Sequence, residues 1–237
     1  MDAVLPRGGG RVALVRHGGF TFQGRSPGDE ERPDVHGIAL GILRRRWERC
    51  VAAFPRSDAL GEHYEGMTPT KPVVELRTAT AADAETYALW GTDELFCRAA
   101  EWTLGIPLAD RAASLRGLNT APPVDLLRLS AWCDGVLVGY VDIQGTEPTR
   151  RELGYLIGPS TSWGRGLGLA AARAGVHFAF DRMGLGTVWA EALDANAASV
   201  KILQRLGMTE TGRGAASTYL GRATHYRQFS LDRWSRT

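Results

Sequence analysis

Residues 154–170 read GYLIGPSTSWGRGLGLA, and this stretch limits the fold more than any other part of the chain. An apolar strand-like run ends at Gly158-Pro159, a loop follows, and Gly164-Arg165-Gly166-Leu167-Gly168 opens an apolar helix. Glycines let the backbone approach a neighbour closely, and the first-turn N–H groups of a helix have no partner within it. Those groups point beyond the helix end, where the dipole adds partial positive charge and Arg165 a full one. A pyrophosphate suits such a turn. Neither GxGxxG nor GxxxxGK[ST] is matched, which argues against the common dinucleotide and P-loop sites.

The text around this turn predicts a mixed α/β domain. Residues 73–77 (VVELR) read as a strand, and a helix begins at Thr80, whose hydroxyl stands three residues before Asp83 in a near capping box. Helical text continues over 93–104 and about 108–118, and Ala121-Pro122-Pro123 breaks it. Strands are expected at 126–132 and 136–144, joined through Asp134-Gly135, a strong hairpin signal. A third strand covers 152–158, a long helix 164–182, a strand 187–193 and a helix 197–206. Two closing strands are expected near 208–211 and 225–231.

A second motif follows the glycine turn: Asn196-Ala-Ala-Ser199-Val-Lys-Ile202-Leu203-Gln-Arg205-Leu206-Gly207. It has a polar start, one apolar face, a basic residue near its end and a glycine stop. Alone it is an ordinary amphipathic helix. In order, with a strand between them, the two segments resemble the (Q/R)xxGx(G/A) and NxxS motifs of the GNAT superfamily of N-acetyltransferases. The likeness runs from about Val73 to Leu231 and is nearest the branch of ribosomal-protein N-terminal acetyltransferases.

That resemblance implies the GNAT fold, a mixed central sheet with two splayed parallel strands, here 152–158 and 187–193. It implies acetyl-CoA held in the cleft, with CoA as product. Backbone groups of Leu156, Ile157 and Gly158 would meet the pantetheine arm, and an N–H near Leu156 would steady the oxyanion. Trp163 would lead the glycine turn where the family has Gln or Arg. Gly164, Arg165, Gly166, Leu167 and Gly168 would hold the pyrophosphate, and Asn196 would reach the pantetheine. Many members carry a tyrosine acid seven residues after the asparagine; this chain has Leu203 there, and Ser199 is the natural substitute. The alternative for Ser199 is a hydroxyl bonded back to its own helix. Glu152 and Glu191 are the candidate bases for the attacking ammonium, while Asp194 is expected to cap the 196 helix. The acceptor is an amine of a small metabolite, an antibiotic or a protein N-terminus. A donor such as aminoacyl-tRNA, or a CoA-binding module without turnover, are the alternatives.

Residues 1–71 form an N-terminal extension ahead of a 72–237 domain. A short strand (11–16), an amphipathic helix (38–54) and glycine- and proline-rich turns make it up. Val15-Arg16-His17-Gly18, with Gly24-Arg25 and Glu65-Gly66, resembles the motif of histidine phosphatases, but the segment is too short for that fold and no second half follows. A decoration that shapes the acceptor cleft or makes a homodimer contact fits better. Arg44-Arg45-Arg46 reads as a solvated helix face rather than a tRNA contact, and the net charge of +2 advertises no nucleic-acid field. Three cysteines without CxxC spacing and scattered histidines predict neither disulfides nor a metal. No run nears the about 18 apolar residues of a membrane span, and Met1 to Gly10 lacks an apolar signal core, so a cytoplasmic protein is expected.

Overall fold

The computed structural model describes residues 71–235, so the strand at 11–16, the helix at 38–54 and the Arg-His-Gly motif lie outside the described residues. Seven strands form one mixed sheet in the order β1-β2-β3-β4-β5-β7-β6. They are β1 (Glu75–Thr78), β2 (Leu126–Cys133), β3 (Val136–Gln144), β4 (Arg150–Ile157), β5 (Thr187–Leu193), β6 (Thr209–Tyr219) and β7 (Arg222–Asp232). The helices are α1 (Asp83–Trp90), α2 (Glu94–Ala100), α3 (Leu108–Thr120), α4 (Leu167–His177) and α5 (Ala197–Arg205). Among the described residues no helix is long and apolar enough to cross a membrane.

The alternation within β4 places the two layers. Leu153, Tyr155 and Ile157 face one core with Ala171, Ala172 and Val176 of α4 and Val200 and Leu203 of α5. Leu156 faces the other, with Tyr87 and Trp90 of α1, Phe96 of α2 and Tyr140 of β3. Small residues let the helices sit close to the sheet. A Cβ on Gly175 would stand 2.7 Å from Leu153 Cδ1 and 2.8 Å from Val141 Cγ1. A Cβ on Gly158 would stand 2.4 Å from the Trp90 ring.

Local signals hold where short-range chemistry decides. Thr80 and Asp83 form the reciprocal cap, with Thr80 N–H to Asp83 Oδ2 at 2.8 Å and Asp83 N–H to Thr80 Oγ1 at 3.3 Å. Asp134 and Gly135 both take positive φ, as a two-residue type I′ hairpin requires. Two expectations are corrected. The residues expected as a loop between the last strands, 211–224, are mostly strand: β6 and β7 form one long hairpin closed by Leu220 and Gly221, at φ +48° and +79°. Glycine, alanine and serine there have weak strand preference, and pairing to β7 overrides it. The α5 helix is capped by Asn196, whose Oδ1 accepts from Ser199 N–H at 3.2 Å. Asp194 instead meets Arg227 at 3.4 Å.

Candidate functional site

The site is created by a failure of pairing. Parallel strands β4 and β5 are in register only over Arg150, Arg151 and Glu152 against Thr187, Val188 and Trp189. Past that point β4 stays with β3 and β5 stays with β7, so their facing edges separate. Hydrogen-bond alternation shows which groups face the gap. Thr187 N–H reaches Thr149 O at 3.0 Å, and Gly158 N–H reaches Val138 O at 3.1 Å. Odd-numbered residues of β4 therefore turn their backbone toward β5, and even-numbered ones toward β3.

Of the three β4 residues expected to meet a pantetheine, Ile157 faces the gap, while Leu156 and Gly158 turn their amides to β3. The Ile157 carbonyl already accepts from the Trp163 indole Nε1 at 2.8 Å, leaving its N–H directed into the gap. Tyr155, absent from the sequence expectations, presents its backbone there too. On β5 the same alternation presents Glu191 and Leu193, with the Leu193 carbonyl taken by Asn196 N–H at 2.8 Å.

The glycine turn lies at the open end. Gly164 and Gly166 hold φ of +78° and +82°, which glycine adopts without strain. Helix α4 starts at Leu167 with no side-chain cap, so its leading N–H groups are presented outward. Arg165 Nε reaches the Thr161 carbonyl at 3.4 Å. Gly168 sits where a Cβ would be 2.9 Å from Ile202 Cδ1, which brings the first turn of α4 against α5. Trp163 touches both cores, joining the two faces at the end of the gap. The loop after β4 is tied down by Asp93, whose Oδ2 accepts from Ser160 N–H at 2.8 Å. Burial pushes the Asp93 carboxyl up, but bonds from Ser160, Phe96 and Leu95 outweigh it and hold it below the usual carboxylate range.

The NxxS spacing has a structural reason. Asn196 is the cap and Ser199 the third helical residue, the position whose N–H a cap side chain reaches. Ser199 is fully buried, and its hydroxyl makes no hydrogen bond, neither back to its helix nor elsewhere. Leu203 lies wholly in the core. Buried Tyr155 likewise carries an unpartnered hydroxyl.

The two candidate carboxylates stand differently. Glu152 sits in the zipped part of the β4–β5 pair, in register with Trp189 and with Gln144 of β3. Glu191 lies beyond the point of separation. Its neighbours Ala190 and Ala192 face the α4–α5 core, so its side chain faces away from those helices, where Gln228 Nε2 donates to it at 2.7 Å. Among the described residues no three His, Cys, Asp or Glu side chains gather as a metal site.

Comparison with known proteins places this arrangement. The acetyltransferase (GNAT) domain profile matches residues 74–209. Solved structures share the fold at low identity. One is described as RimL, a ribosomal L7/L12 α-N-protein acetyltransferase in complex with coenzyme A: 16% identical, TM-score 0.55, covering 68% of this chain and 94% of that one. Another is spermidine N-acetyltransferase from Vibrio cholerae with CoA and spermine: 14% identical, TM-score 0.57, covering 68% and 96%. A third is the aminoglycoside acetyltransferase AAC(6')-Ib with coenzyme A: 19% identical, TM-score 0.54, covering 68% and 96%.

Proposed function

Because this chain belongs to the acetyltransferase (GNAT) family, matched over more than half its length, we propose that it transfers an acetyl group from acetyl-CoA to a primary amine. The observation that carries this reading is the separation of β4 from β5 beside an uncapped glycine-opened helix. A thioester donor with a diphosphate at its far end fits those two features together. The pantetheine amides would meet the gap-facing backbone of Tyr155 and Ile157 on β4 and of Glu191 on β5. The leading N–H groups of α4, with Arg165, would hold the diphosphate. The unpartnered Ser199 hydroxyl is a group that such a donor would satisfy.

The bound donor supplies an activated acyl group, and the protein supplies position and charge. Ile157 N–H, directed into the gap, is the amide suited to stabilise a developing oxyanion. Glu191, on the open part of β5 and facing away from α4 and α5, is the better placed base for the incoming ammonium, directly or through water. Glu152, in the zipped part, would shape the acceptor side. Asn196 acts through the helix it caps, holding Ser199 in place. The acceptor we propose is an amine of a small metabolite, an antibiotic or a protein N-terminus. The fold-sharing enzymes described above are named for acceptors in these classes.

The test is calorimetric and thermal-shift titration with acetyl-CoA, CoA and NAD, on the wild type and on Arg165→Glu. Stabilisation by acetyl-CoA and CoA but not NAD, weakened about tenfold by the charge reversal, supports the reading. No response to either CoA species overturns it and brings other donors forward. Binding without acetyl-CoA consumption across a panel of amines would point to the non-catalytic alternative. A Glu191→Gln variant with an unchanged pH–rate profile removes that residue as base.

A further inference from the structure

Among the described residues, two oxygens on the α4–α5 side of the sheet are buried without a partner: the hydroxyls of Tyr155 and Ser199. Both residues have no exposed surface. An unpaired buried hydroxyl costs about 1–3 kcal/mol, so a pair kept together wants a reason. Their surroundings place them at the convergence of the cleft. The Tyr155 ring edge, at Cε2, lies 4.0 Å from the point where a Cβ on Gly168 would sit, and Ile202 Cδ1 lies 2.9 Å from the same point. Ile202 and Ser199 are three residues apart on one face of α5. The Tyr155 ring edge therefore lies beside Gly168 in the first turn of α4, where Ile202 of α5 also packs, while its own backbone faces the gap.

We propose that Tyr155 is a positioning residue for the sulfur of the acyl donor: with the donor in the cleft, its O–H donates to Ser199 Oγ and turns the serine O–H toward that sulfur. This rests on acetyl-CoA as the donor. A serine hydroxyl has one proton and two lone pairs. Once a lone pair accepts from the phenol, the proton remains to be directed outward. Burial raises the Tyr155 pKa, with the Ser199 hydroxyl beside it pulling the other way, so the phenol keeps its proton and acts as a donor. As the amine nitrogen bonds to the acyl carbon and the carbon–sulfur electron pair passes to sulfur, the Ser199 O–H meets the new negative charge. The proton lost by the amine leaves through the base, and neither Ser199 nor Tyr155 changes protonation.

The experiment compares binding of CoA with desulfo-CoA, which lacks only the sulfur, at mildly alkaline pH. Wild type, Tyr155→Phe, Ser199→Ala and the double variant are titrated by calorimetry. The wild type is expected to prefer CoA by about tenfold. Tyr155→Phe keeps the ring and loses that preference to under about threefold, and Ser199→Ala loses it alike, while desulfo-CoA binds all four proteins equally. The double variant is expected to behave as Ser199→Ala alone. Since the phenol hydroxyl has no partner to lose in the donor-free protein, the unfolding midpoint of Tyr155→Phe does not fall below the wild-type value. A preference for CoA that survives Tyr155→Phe, or effects of the two substitutions that add, overturns the proposal while leaving the donor reading intact. Failure of the wild type to bind either compound overturns both.

Discussion

Removing the charge of Asp142 while keeping its shape should cost this fold much of its stability. Arg128 on β2 and Asp142 on β3 form a two-pronged pair, Nε to Oδ1 at 2.8 Å and Nη2 to Oδ2 at 2.6 Å. Their side chains are only 2% and 1% exposed. The guanidinium also lies 3.9 Å over the Tyr140 ring. Burial works against the Arg128 charge, but Asp142 more than offsets it and holds the pKa above the ordinary arginine value. Asp142→Asn leaves that charge in the interior without its counter-ion, at a cost of about 3–5 kcal/mol. For a domain of this size each kcal/mol moves the melting temperature by roughly 2–4 °C, so a fall of about 6–20 °C is expected by calorimetry. The double variant Arg128→Met, Asp142→Leu removes both charges and should recover to within about 2 kcal/mol of wild type. If Asp142→Asn melts within about 2 °C of wild type, Asp142 is not the carboxylate that balances the buried Arg128 charge.

Two further outcomes test particular contacts. Asp93 caps α2 and holds the Ser160 amide. Its folded-state pKa lies below the ordinary aspartate value, so its contribution is present above about pH 4 and is lost as pH falls through the lowered value. Asp93→Ala should cost about 1–2 kcal/mol at neutral pH, with the gap narrowing below about pH 4 in urea titrations; a pH-independent gap would refute this. Leu220 holds φ of +48° in the β6–β7 turn, a conformation asparagine takes more readily. Leu220→Asn should stabilise the protein by about 1 kcal/mol, and an unchanged or lower melting temperature would count against strain at that turn.

Short-range chemistry was legible in the chain itself. Asp134-Gly135 announced its hairpin, Thr80 and Asp83 their reciprocal cap, and Gly207 the end of α5, because one or two side chains suffice for each. Alternation in β4 and β5 and the two ordered motifs were enough to identify the fold and to place the glycine turn. Boundaries that depend on partners far along the chain were not legible. The residues of β6 have little strand preference of their own, and only pairing with β7 makes them a strand. Asp194 reads as the cap of α5 in the sequence, but Asn196 takes that place and Asp194 meets Arg227, thirty-three residues on. Which amides of β4 face the cleft is a matter of hydrogen-bond parity, fixed by the Thr149 and Val138 carbonyls on either side. That parity turns Leu156 inward and brings Tyr155 to the gap. Bringing its hydroxyl beside Ser199 likewise needs a strand and a helix from opposite sides of β5 in sequence. Motifs mark the residues that local geometry commits, and only the packed sheet decides which groups share the cleft, because that choice is made by long-range register.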